Sequence, residues 1–89
     1  MVGYSIVYTK KAAADIPNLK ASGLEFKARA LIDIIRINPF QSPPPYEKLV
    51  GGMRGAYFRR INIKHRLAYE VNEESRTVKI ISMWSHYEF

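Results

Sequence analysis

Three short runs of this sequence hold side chains able to act on a phosphodiester. The first is Tyr57-Phe58-Arg59-Arg60-Ile61-Asn62-Ile63-Lys64-His65-Arg66-Leu67, a hairpin-like segment with cations near its base. The second is the closing Ser85-His86-Tyr87-Glu88-Phe89. The third is one acid, Glu47, at the end of a proline-rich stretch. A guanidinium carries a planar fork that matches phosphate oxygens. A histidine titrates near neutrality and can give or take a proton. With a carboxylate as the second proton carrier, the set amounts to a base, an acid and cations on a phosphate, which is what breaking an RNA phosphodiester requires.

Each group also has an ordinary reading. Arg60 and Arg66 form either an oxyanion clamp across the hairpin or a solvated strand face paired with Glu70 or Glu73. His86 is either a proton carrier or a surface histidine. Tyr87 either stacks on a base or caps the core. His65, at the turn, suits a structural role or an RNA contact better than catalysis. Arg59 and Lys64, on the same hairpin, join it as candidates for RNA contact. Glu47 taken alone is one acid among the chain's eight.

These side chains need a scaffold, and the pattern supplies one. Tyr4-Ser5-Ile6-Val7-Tyr8 is aromatic and β-branched and predicts a strand. Thr9 is placed to cap a helix from Lys10 to about Asn18, with Asp15 and Pro17 weakening its end. From about Ser22 to Ile37, Leu24, Ala28, Leu31 and Ile35 recur at helical steps, with Phe26, Ile32 and Ile34 widening the stripe. Asn38-Pro39 stops that helix. Residues 39–48 form a loop stiffened toward an extended form by Pro43-Pro44-Pro45, and this loop holds Glu47. Gly51-Gly52 and Gly55 mark turns.

Strands are expected at about 56–63, 66–71 and 77–84, with turns at Asn62–His65 and Asn72–Arg76. Leu67, Tyr69 and Val71 alternate onto one face. The result is an α+β domain: an N-terminal strand, then two helices packed on one face of a curved antiparallel sheet.

Composition sets limits on function. Eighty-nine residues make one domain, and 47% hydrophobic residues suffice for a small core. There is no cysteine, so no disulfide or thiolate metal site, and the two histidines stand far apart. No metal or other cofactor is expected. The first residues lack the charged start and apolar run of a signal peptide, and no segment is apolar enough to span a membrane. A cytoplasmic protein is therefore expected. A net charge of +6 and a pI of about 9.8 suit a polyanionic partner, either nucleic acid or an acidic protein segment.

Taken together, Pro39-Phe40, Glu47-Lys48-Leu49, Gly55, Arg59-Arg60-Ile61, His65-Arg66-Leu67-Ala68-Tyr69 and His86-Tyr87 resemble the Txe/YoeB family. This is the ribosome-dependent mRNA endonuclease branch of the RelE/ParE toxin superfamily, and the likeness runs in order along nearly the whole chain. It implies a compact, microbial-ribonuclease-like α+β fold. It also implies roles: Glu47 as general base, His86 as general acid, Arg66 as catalytic arginine, Arg60 as a phosphate contact, and Tyr87 as a residue that positions substrate. The implied partners are mRNA and the ribosome, together with a cognate YefM/Phd-like antitoxin whose acidic, disordered segment folds over the basic cleft. A homodimer of the free toxin is a further expected form.

The chain departs from the family pattern at Val50, where a basic residue is usual, and at Tyr57-Phe58, where Trp-Ser is usual. It also runs past His-Tyr by Glu88-Phe89. Two other readings compete. One is a ParE-like inhibitor of gyrase, which would lack the Glu47, Arg66 and His86 set. The other is a small nucleic-acid-binding or autorepressor module, for which the helices carry no helix-turn-helix signature.

Overall fold

The computed structural model describes residues 3–48 and 55–85. Leu49, Val50, the Gly51-Gly52 turn and the closing His86-Tyr87-Glu88-Phe89 lie outside the described residues. The elements run β1 (Ser5–Tyr8), α1 (Lys10–Ser22), α2 (Glu25–Ile37), β2 (Glu47–Lys48), β3 (Ala56–Arg60), β4 (Arg66–Asn72) and β5 (Thr77–Ser85). Two helices pack on a five-stranded sheet ordered β1-β5-β4-β3-β2. The fold is α+β as expected, with one correction. β2 to β5 are antiparallel, but β1 pairs parallel to β5, Ser5 opposite Thr77 and Tyr8 opposite Ile80, so the sheet is mixed. Parallel neighbours need a crossover connection, and everything between β1 and β5 serves as one.

Both helices differ from expectation at their ends. Pro17 does not stop α1, which runs through it to Ser22. The proline lies on the exposed side of the helix, so water can satisfy the carbonyl it leaves unbonded. The stop is Gly23, at φ 77°, where Leu24 N–H returns to the Leu19 carbonyl at 2.9 Å. This left-handed end, which glycine adopts without penalty, is why α2 starts at Glu25 and not at Ser22.

The core forms where the apolar stripes meet. Ala12 and Leu19 of α1 and Ala28, Leu31, Ile32 and Ile35 of α2 close on Leu67 and Tyr69 of β4 and on Val78, Ile80 and Met83 of β5. Phe26 does not join that stripe and is 83% exposed. Among the described residues, no helix is long and apolar enough to cross a membrane.

Candidate active site

The site lies on the sheet face turned away from the helices, and the pleat decides which side chains reach it. On β4, Leu67 and Tyr69 enter the helix-side core, so Arg66 and Ala68 point the other way. Register carries this face across the sheet. Ala68 is opposite Phe58 on β3, Phe58 is opposite Glu47 on β2, and Arg66 is opposite Arg60. Glu47, Phe58, Arg60 and Arg66 therefore share one face within three adjacent strands. Glu47 and Arg60, diagonal neighbours about 8 Å apart by sheet geometry, line a depression of about 230 Å³ with Pro45, Tyr46 and Phe58.

The electrostatics of this patch favour an anion. Arg60 and Arg66 are directly opposed, a placement in which like charges repel. An anion between them would relieve that repulsion. The Arg66 guanidinium lies 5.5 Å from the Phe58 ring centre, which steadies it by a cation–π contact. Phe58 is 4% exposed and forms an apolar floor. Beyond the floor, Glu70 and Lys79 form their own pair at 3.7 Å.

The hairpin turn is built locally. The Asn62 carboxamide oxygen accepts from the amides of Lys64 at 2.9 Å and His65 at 2.7 Å, and this fixes residues 62–65 as a compact turn. The expected strand over 56–63 consequently ends at Arg60. Lys64 is exposed at the tip. The half-buried His65 ring stacks on Trp84 with centroids 3.8 Å apart and planes 15° from parallel. That stack joins the hairpin to the end of β5. Arg66 is paired there with Ser85, the residue before His86.

Arg59 corrects an expectation. As a candidate RNA contact it should be accessible, yet it is 1% exposed, among the largest fully buried side chains. Odd-numbered residues of β3 face the helix side, so Arg59 alternates away from Arg60. Its Nε donates to the Tyr69 hydroxyl at 3.2 Å, and Nη1 donates to the Pro44 carbonyl at 2.6 Å. Nη2 donates to the carbonyls of Pro39 at 3.0 Å and Gln41 at 2.9 Å. The proline-rich loop is thus wrapped around one guanidinium and is not extended as expected. It also carries cis bonds before Pro43 and Pro44.

Tyr69 completes the grip by donating to the Pro39 carbonyl at 2.7 Å. Burial raises its phenol above the ordinary pKa, and the Arg59 charge opposes the rise only in part. Folding therefore favours the protonated phenol. Its contribution to stability is full below about pH 10 and is lost as pH rises further. Urea midpoints should fall more steeply above about pH 10 in the wild type than in Tyr69→Phe. Equal slopes would remove Tyr69 from the alkaline transition.

Asp15 holds the site from behind, although in the sequence it reads only as a weak helix former. It is 3% exposed on the buried stripe of α1. Register shifts in the β4–β5 ladder mark irregularities between Ile80 and Ser85. The amides of Met83 and Trp84 both turn to Asp15 Oδ2, at 2.9 and 3.2 Å, while Lys11 reaches Oδ1 at 2.6 Å. Thr9, the α1 cap, donates its hydroxyl to the Ile81 carbonyl at 2.7 Å. One helix thereby satisfies the irregular stretch of β5 that leads to Ser85. Among the described residues, no three of His, Asp and Glu gather as a metal-binding set.

This arrangement of helices and sheet is that of the small RelE-type toxins. An archaeal RelE–RelB complex from Pyrococcus horikoshii superposes with a TM-score of 0.74 at 20% identity, over 93% of this chain and 94% of that one, which is likeness of fold. Nearer structures narrow the class. The YoeB/ParE toxin from Agrobacterium tumefaciens matches at TM-score 0.83 and 27% identity, covering 93% of this chain and 99% of its own. The toxin of the heterotetrameric YoeB-YefM toxin-antitoxin complex from Staphylococcus aureus matches at TM-score 0.78 and 30% identity, covering 94% and 98%. The family model of the YoeB-like toxin of bacterial type II toxin-antitoxin systems matches residues 8–87, and the chain belongs to that family. No curated protein sequence matches it significantly.

Proposed function

We propose that this toxin is a ribosome-dependent endoribonuclease that cuts mRNA in the decoding site and is neutralised by an acidic, YefM-like antitoxin. The observation that carries this reading is the gathering of Glu47, Arg60 and Arg66 on one open sheet face, beside a depression floored by Phe58. In the proposed reaction Glu47 removes the proton from a ribose 2′-OH. The 2′-oxygen bonds to the adjacent phosphorus, and the bond from phosphorus to the 5′-oxygen breaks. His86, which follows Ser85 in the chain, delivers a proton to that leaving oxygen. Arg60 and Arg66 hold the negative charge that gathers on the phosphoryl oxygens.

Tyr87 would position the nucleotide, and exposed Lys64 with half-buried His65 would contact RNA at the edge of the face. Two proton carriers and two arginines are few for a free ribonuclease, and the +6 charge suits binding to the ribosomal RNA around the message. The same charge suits an acidic antitoxin, as in the S. aureus relative that is solved in complex with YefM.

Primer-extension mapping of mRNA in a reconstituted translation reaction tests the reading. New 5′ ends at the decoding site are expected with ribosomes present and absent without them. Equal cleavage of naked RNA would overturn the ribosome dependence. Growth arrest on expression with intact mRNA would point to a non-nucleolytic inhibitor.

A further inference from the structure

We infer that Arg59 is a positioning residue for Glu47, acting through the loop from Pro39 to Tyr46 and not by touching substrate. The inference rests on the acid–base reading above and adds to it the device that fixes the base. Among the described residues, Glu47 and Lys48 are exposed and pair with β3 as Glu47 opposite Phe58 and Lys48 opposite Tyr57, so the loop that leads into them bears on where Glu47 sits. Within that loop Gln41 reaches the Asn38 carbonyl through its amide at 3.1 Å and the Pro43 carbonyl through its side chain at 3.4 Å, but Pro43, Pro44 and Pro45 have no amide to donate.

Arg59 supplies the missing donors. Three of its hydrogen bonds end on carbonyls spread from Pro39 to Pro44, so one buried guanidinium ties the loop at three points. Its guanidinium also lies 5.1 Å from the ring centre of Tyr46, the residue directly before Glu47. Tyr46 is held in turn edge-on to Tyr57 at 5.7 Å and tilted against Phe40 at 6.0 Å. On the other strand, Phe58, the cross-strand partner of Glu47, adjoins Arg59 in the chain. Arg59 therefore bears on Glu47 from both sides of the pairing while its own head is sealed from solvent.

Lysine keeps the charge at this position but replaces the fork by a point, and cannot reach three carbonyls at once. Misplacement of a catalytic group by about 1 Å costs roughly 100-fold in rate. Arg59→Lys should accordingly lower kcat for ribosome-bound mRNA by about 30- to 100-fold with KM unchanged. It should also have no further effect in a Glu47→Ala background. Amide hydrogen exchange should quicken at residues 40–48 while β4 stays protected. Tyr69→Phe, which removes the phenol that bonds both Arg59 and Pro39, should move exchange and kcat in the same direction by less, and serves if Arg59→Lys does not fold.

An equal loss on top of Glu47→Ala, a raised KM, or unchanged exchange at 40–48 would each overturn the inference. Should Glu47→Ala itself cut at the wild-type rate, the acid–base reading fails. The exchange measurement still decides whether Arg59 fixes the Glu47 loop.

Discussion

Arg66→Ala should reduce mRNA cleavage on the ribosome by on the order of 1,000-fold while the protein keeps its fold. The size follows from the role. A guanidinium aimed at charge that develops only in the transition state is typically worth 100- to 1,000-fold, and Arg66 stands at the centre of the open face, opposite Arg60 and Ser85. The cost to stability should be small by comparison. Among the contacts the fold loses is that with Phe58, 5.5 Å from charge to ring centre, worth about 0.5–1 kcal/mol at a partly exposed position. Arg66→Lys should recover part of the rate, since it restores charge without the fork. Single-turnover cleavage beside a urea titration separates the effects. A rate loss matched by collapse of the denaturation midpoint would make Arg66 structural, and a loss under 10-fold would remove it from the transition state.

Asp15→Ala, far from the open face, should cost about 3–4 kcal/mol of stability. The carboxylate is buried and accepts from the amides of Met83 and Trp84 at 2.9 and 3.2 Å. Alanine leaves both donors without that acceptor, and each buried donor so stranded costs about 1–3 kcal/mol. The Lys11 ion pair adds little, because the lysine side chain is 57% exposed. At about 4–8 °C per kcal/mol for a domain of this size, the midpoint should drop by roughly 12–32 °C. Asp15→Asn keeps one oxygen acceptor and should lose about half as much. A drop under 5 °C for the alanine variant would mean that water or a neighbouring group replaces the carboxylate.

Much of this architecture was legible from alternation and spacing. The helical stripe of Ala28, Leu31 and Ile35, the alternation of Leu67, Tyr69 and Val71, and the turns around Asn62 and Asn72 all depend on neighbours in sequence, and the structure has them. The placement of Arg60 and Arg66 on neighbouring strands followed from the hairpin pattern, whereas Glu47, expected in the proline-rich loop, lies on β2 opposite Phe58. What escaped depends on partners remote in the chain. The parallel pairing of β1 with β5 leaves no local mark in Ser5–Tyr8. Arg59 and Arg60 look alike as letters, and only the pleat, which sends one inward and one outward, separates their fates. Asp15 looked like a poor helix residue because the amides it serves lie 68 and 69 positions away. A buried charge seen in sequence is a composition anomaly until its partners are placed.

The parallel strand pair has a consequence for how the molecule comes into being. β5 is an interior strand, with β1 on one side and β4 on the other, and it gives Val78, Ile80 and Met83 to the core. Until β5 exists, β1 has no neighbour and both helices lack much of the surface they cover. The molecule therefore cannot assemble from its beginning onward in stable stages. Its ordering waits on a contact between residues as remote as Ser5 and Thr77, a long closure that slows folding and makes it all-or-none. A toxin of this build therefore reaches its fold only once its last strand has been made.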